Sequence, residues 1–162
     1  MDDSDPDPTV RTAAFGCRGL RLPTGEELVA SLHGGRPGDH VLVRCFRQLA
    51  ACHRRRLSST PNEQTVAAGE RRARIIRLID QWADRSLPRS GESARLHTET
   101  LASVVDRLAL AHEQAWRTLM TAGDPAAPVV HARWRHLAEL VDAYRDLTEQ
   151  VAAGQRQLPR GR

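Results

Sequence analysis

The chain has 162 residues, 24 of them basic, 20 acidic and 7 histidine, for a formal net charge of +4, and every basic side chain is an arginine. This is about one domain's worth of chain. No apolar run approaches the roughly 18 residues of a membrane span, and three cysteines, Cys17, Cys45 and Cys52, without a CxxC pair argue against a disulfide framework or a zinc knuckle. The opening MDDSDPDP carries four aspartates and no base, so the remainder holds about +8. Such a start is not the n-region of a signal peptide. A reducing cytoplasm is the expected compartment, and arginine without lysine reads as the codon bias of a GC-rich bacterial genome.

Taken in order, residues 1–22 are punctuated by Pro, Asp and Gly and read as a flexible acidic tail, with a single helical-bundle domain expected over 23–158. Thr24 followed by Glu27 is a capping box, and Gly34 is a stop, which predicts a short helix over 25–33. The second helix is expected over 38–57, with Leu42, Cys45, Phe46, Leu49, Cys52 and also His53 on one stripe. The third, over 62–85, has Ile75, Ile76, Ile79, Trp82 and Ala83 on its apolar face. Arg72 stands at the edge of that face, while Glu70, Arg74, Arg77, Gln81 and Asp84 form the solvated one.

Thr98 is the expected N-cap of a fourth helix over 99–122, whose stripe is Leu101, Val104, Val105, Leu108, His112, Ala115 and Leu119. Glu99, Ser103, Asp106, Leu110 and Glu113 share its other side. A fifth helix over 129–153 ends at Gly154. Short loops between long amphipathic helices imply an all-α fold, an antiparallel up-and-down bundle of four long helices with a short N-terminal one.

The fourth helix poses the main problem. Residues 101–111 hold only three polar side chains, so the helix is buried on more than one side, yet Asp106 and Arg107 sit in its middle. A lone buried charge costs several kcal/mol, whereas a paired and hydrogen-bonded one roughly breaks even. Arg107 can snorkel outward, but a short aspartate cannot. Asp106 therefore needs an arginine from a neighbouring helix, and Arg72 is the expected partner.

RRARIIRLIDQW, then LP, a short loop and LHTETLASVVDRLAL, resembles the domain-of-unknown-function 4254 family of bacterial helical proteins over roughly residues 39–158. The positions that match the family pattern are Arg72, Asp80, Trp82, His97, Thr98, Glu99, Asp106 and Arg107, with His53 corresponding to a family histidine. The resemblance implies an acidic residue directly after that histidine, where this chain carries Arg54, Arg55 and Arg56. It implies no established activity.

Two functions are compatible with these residues. In the first, His97, Glu99, Asp106 and His53 serve as acid–base groups, and Arg72, Arg107, Asp80 and Trp82 hold a small, anionic substrate in an interhelical pocket. This would be a cofactor-independent enzyme of a biosynthetic pathway with no metal, since Glu-x-x-His pairs are absent. In the second, the same groups are a structural network, and the basic surface binds a protein or nucleic acid partner. The first is preferred, because ionisable groups in an apolar setting are commoner at sites. Arginines spread over several faces argue against sequence-selective nucleic-acid binding. His53 and His112 lie on apolar stripes, where a histidine is more often a core residue than a functional one, and the two could face each other across the bundle; a homodimer is compatible with the helices.

Overall fold

A computed structural model describes residues 21–34, 40–58, 63–88, 91 and 93–160. All but the last two residues of the expected acidic tail, Cys17 among them, lie outside the described residues, as do the breaker at Pro37 and parts of the loops before α3 and before α4. The fold is all-α, with helices α1 (Gly25–Ala30), α2 (Val41–Ser58), α3 (Glu63–Ser86), α4 (Leu101–Thr121) and α5 (Pro128–Ala152). No helix among the described residues is long and apolar enough to cross a membrane.

The capping box at the start of α1 forms: Thr24 Oγ1 accepts from the Glu27 amide at 3.1 Å, and Glu27 Oε2 accepts from the Thr24 amide at 2.8 Å. The helix is only six residues long, shorter than the 25–33 expected. Ser31, Leu32 and His33 leave it in turns that close at Gly34, whose φ of +81° only glycine adopts freely. Unwinding this turn frees His33 from the α1 stripe. At the other end, Gly25 lies so close to α5 that a Cβ there would stand 3.3 Å from the Val141 backbone.

α4 packs against α2, α3 and α5. Its buried set includes Leu101, Val104, Val105, Leu108, Ala109, Ala111 and Ala115, which occupy most of its circumference. α3 crosses it in the opposite sense, since Arg72 meets Asp106 while Asp80 meets Ala102. α2 runs in the same sense, since His53 meets Asp106 while Leu57 meets Arg117. α5 begins with Pro128 at its first position, where a missing N–H costs nothing, and stops before Gly154 at φ +69°.

Two expectations are corrected. The N-cap of α4 is Thr100, not Thr98: Thr100 Oγ1 accepts from the Ser103 amide at 3.2 Å, and the helix begins at Leu101. There is also a short parallel strand pair, where none was expected, of β1 (Arg95–Leu96) and β2 (Arg156–Gln157). Its bonds, Arg95 N to Gln155 O at 3.1 Å and His97 N to Gln157 O at 2.8 Å, tie the entry of α4 to the exit of α5. Two residues are too few to carry a period, so no alternation marks them.

Tyr144 of α5 is fully buried, and among the described residues its hydroxyl has no hydrogen-bond partner. Burial also pushes its phenol up from the ordinary range. An unmet buried donor is a cost, so Tyr144→Phe should raise stability by about 1 kcal/mol, or about 3 °C in Tm, by chemical and thermal denaturation. A loss of stability would show that the hydroxyl is satisfied in solution.

Candidate functional site

Asp106 is 6% exposed, and its carboxylate is met from two helices. From α3, Arg72 presents its guanidinium edge, Nε to Oδ1 at 2.8 Å and Nη2 to Oδ2 at 2.5 Å. This is the pair the sequence required, and a two-pronged contact is the strong form of an arginine–carboxylate bond. From α2, His53 Nε2 lies 2.8 Å from Oδ1. Burial pushes the Asp106 carboxyl up, but the hydrogen bonds and charges of His53 and Arg72 outweigh it and hold it below the usual carboxylate range. A charged Asp106 has no proton to give, so His53 Nε2–H is the donor.

Seven residues on, two turns along α4, Glu113 repeats the arrangement. It is 3% exposed, and Arg54 of α2 clasps it with Nε to Oε2 at 3.0 Å and Nη2 to Oε1 at 2.9 Å. Burial again pushes this carboxyl up, and His112 and Arg54 together hold it below the usual range. His112 is buried beside it. Its Nδ1 stands 3.5 Å from Glu113 Oε1 and has no hydrogen-bond partner among the described residues. Its Nε2 is 2.9 Å from Nε2 of His33, so one of the two rings donates and the other accepts.

This second cluster borders open space. Leu32, His33, Arg54, His112, Glu113 and Trp116 line a cleft of about 470 Å³, with Arg117 and Met120 at its α4 end. That size suits a small ligand. Trp116 stacks parallel to His112, with ring centroids 6.5 Å apart, and tilts against His33 at 5.1 Å. Arg117 donates to the Leu57 carbonyl in the last turn of α2, an oxygen that the helix itself leaves unpaired. The Asp106 cluster does not border this cleft.

The remaining predicted residues divide by position. His97 follows β1, with Nδ1 3.2 Å from the Glu99 amide and 2.8 Å from its carbonyl oxygen. Glu99 precedes α4 and pairs with Arg107 at 2.8 Å on a half-exposed surface. Asp80 Oδ1 accepts from the Ala102 amide at 3.3 Å and so satisfies one of the orphan donors of α4. Its carboxyl is raised by burial, against hydrogen bonds from Thr100 and Ala102. Trp82 meets the edge of His40, with ring centroids 5.3 Å apart. The structure thus brings His53, Arg72 and Asp106 together, and leaves His97, Glu99 and Arg107 at the entry to α4.

His53 and His112 do not face each other, because each is held by a different partner. In the sequence, Glu113 lies on the second side of α4 with no partner assigned, and Arg54 follows His53 near the expected end of α2. The available signal was the seven-residue spacing from Asp106 to Glu113, which repeats a buried position, together with Arg54 beside His53. Nothing in the sequence placed His33, since its position depends on where α1 unwinds.

A family model described as Protein of unknown function (DUF4254) matches residues 66–159. The chain belongs to this family. The match takes in Arg72, Asp106, His112 and Glu113, and leaves His33, His53 and Arg54 outside it. No curated protein and no solved structure is significantly similar.

In this DUF4254 protein, Asp106→Asn should cost about 2 kcal/mol, less than the roughly 3–5 kcal/mol for breaking a fully buried pair, because Arg72 is a third exposed and partly rehydrates. Arg72→Met in the same chain should recover part of it, so a double-mutant cycle by urea denaturation should show clear coupling, and additivity would exclude the interaction. Both carboxyls are lowered on folding, so their contribution is whole above their ordinary pKa values and is lost as pH falls through the folded ones. Stability should therefore drop steeply below about pH 4, and the gap between wild type and Asp106→Asn should close there.

Proposed function

We propose that the chain binds a small anionic molecule in the cleft bounded by the α1 turn and the last turns of α2 and α4, and that it acts on this molecule by proton transfer. The observation that carries this reading is the line Glu113–His112–His33, which runs from a buried, charged carboxylate to the rim of the cleft. A carboxylate behind an imidazole orients the ring and stabilises it when it takes a proton. Here Arg54 holds the carboxylate in place, His112 Nδ1 faces it, and Nε2 passes the hydrogen-bonding role to the exposed His33. Trp116 supplies an apolar wall, and the guanidinium groups of Arg54 and Arg117 attract an anion. A reaction of this class needs only the chain's own acid–base groups.

Within this reading, the Asp106 cluster has a supporting role. It joins α2, α3 and α4 at one level and sets the register that brings Arg54 to Glu113 two turns further along. His97, Glu99 and Arg107 close the start of α4 and lie outside the reacting group. This reading keeps the expected class of function and assigns it to different residues.

A ligand screen tests both halves of the proposal. Small organic acids are screened by thermal shift against the full chain, and ligands that stabilise it should lose their effect in Arg117→Gln and His112→Asn. Each ligand is then followed by NMR in deuterated buffer. Wild type should exchange a ligand C–H, and His112→Asn should slow the exchange by about a hundredfold or more, the range for a positioned general base. Ligands that protect wild type and His112→Asn equally would move the site elsewhere. Binding without exchange for every ligand would overturn the catalytic part and leave a binding protein.

A further inference from the structure

The geometry points to a second anion site, in the groove between α2 and α3, that takes the phosphate groups of a small molecule carrying two or more of them. The groove is about 700 Å³. Arg44, Arg47, Arg54 and Arg55 of α2 and Arg71 and Arg74 of α3 line it, and among the described residues no Asp or Glu does. Arg44 with Arg47, and Arg71 with Arg74, are three residues apart and so project from one side of their helices. The two helices bring these pairs opposite each other, as Arg71 Nη2 reaches Gln48 Oε1 at 3.4 Å. Among the described residues, no carboxylate lies within ion-pair distance of Arg47, Arg55, Arg71 or Arg74.

This concentration is not the pattern of the rest of the surface. Elsewhere arginines alternate with acids, as in Arg145 with Asp142 and Glu26, Arg107 with Glu99, and Arg21 with Glu27. Like charges crowded in one concavity repel each other and focus a positive potential that a multiply charged anion relieves. The other lining residues are mostly small, Ala51, Cys52, Ala67 and Ala68. Planar guanidinium forks match phosphate oxygens in pairs.

Two features favour a small molecule over a nucleic acid strand. Among the described residues no aromatic side chain lines the groove, so bases would have nothing to stack on. The groove also adjoins the histidine cleft, since Leu32 and Arg54 line both. A molecule with its phosphates on the arginines can extend past Arg54 toward His33 and His112. Only this last point, the position of the ligand's other end, rests on the acid–base reading; the anion site stands on the groove alone.

Tripolyphosphate is therefore the probe, because it has no organic end to reach the histidines. Titrated into the full chain by calorimetry at low salt, it should bind saturably at one site and weaken with added salt. Arg71→Gln with Arg74→Gln should weaken it by about tenfold or more, the loss of roughly one charge-assisted contact. Arg77→Gln with Arg135→Gln removes the same charge at exposed positions outside the groove and should change affinity by less than about threefold. All four positions are exposed, and circular dichroism confirms that each variant is folded. Equal weakening by both pairs, or no saturable binding, would overturn the site. Citrate binding as tightly would overturn the phosphate assignment, and an oligonucleotide binding more tightly at equal phosphate concentration would make the groove a nucleic-acid surface. Loss of deuterium exchange or of organic-acid binding at His112 would leave the tripolyphosphate result unchanged, so the two readings fail separately.

Discussion

α4 is packed against three other helices, yet it carries two carboxylates two turns apart, and both are held charged. Unpaired, either would cost several kcal/mol, a large part of the whole stability of a domain this size. The helices around α4 are arranged so that each carboxylate meets an arginine edge-on: Asp106 meets Arg72 of α3, and Glu113 meets Arg54 of α2. A buried ion pair adds little net stability, but it tolerates only one register. Sliding α3 by a turn along α4 would take Arg72 from Asp106, and sliding α2 would strand Glu113.

The two clusters have the same chemistry and different surroundings. Each pairs a carboxylate with an arginine and a histidine. Around Asp106 the histidine is spent on the carboxylate itself, with His53 Nε2 at 2.8 Å, and the group is closed. Around Glu113 the nearest histidine nitrogen is 3.5 Å away and unbonded, and its other nitrogen leads through His33 to a cleft. The difference arises from the ends of the helices. At the level of Glu113, α2 is in its last turns and α1 has unwound, so space opens beside α4 that the middle of the bundle fills with side chains.

Arg54 lies where these features meet. It satisfies Glu113, borders the histidine cleft and borders the arginine groove. Arg47 and Arg55 of α2 instead line the groove toward α3. An arginine run at a helix C-terminus is favourable for the macrodipole alone, so its presence in the sequence carries little information. What distinguishes the run here is that α3 adds Arg71 and Arg74 across from it.

The sequence by itself determined the helices and the demand for the first ion pair. Apolar spacing located all five helices to within a few residues, the Thr24–Glu27 box set the start of α1, and glycines with positive φ stand at Gly34 and Gly154. Asp106 could be paired with Arg72 because a buried charge must be matched, and one arginine of α3 stood at the edge of its apolar face. Such arguments work when the relevant physics is local or when burial leaves few choices. The tertiary structure alone decided the partner of Glu113, the cap at Thr100 in place of Thr98, the two-residue β pair and the position of His33. Each depends on which helix lies beside which and at what height, and that is set by the packing of whole helix faces. Asp106 and Glu113 look alike along the chain. Only the end of α2 and the unwinding of α1 next to Glu113 make one cluster a closed brace and the other the wall of a cleft.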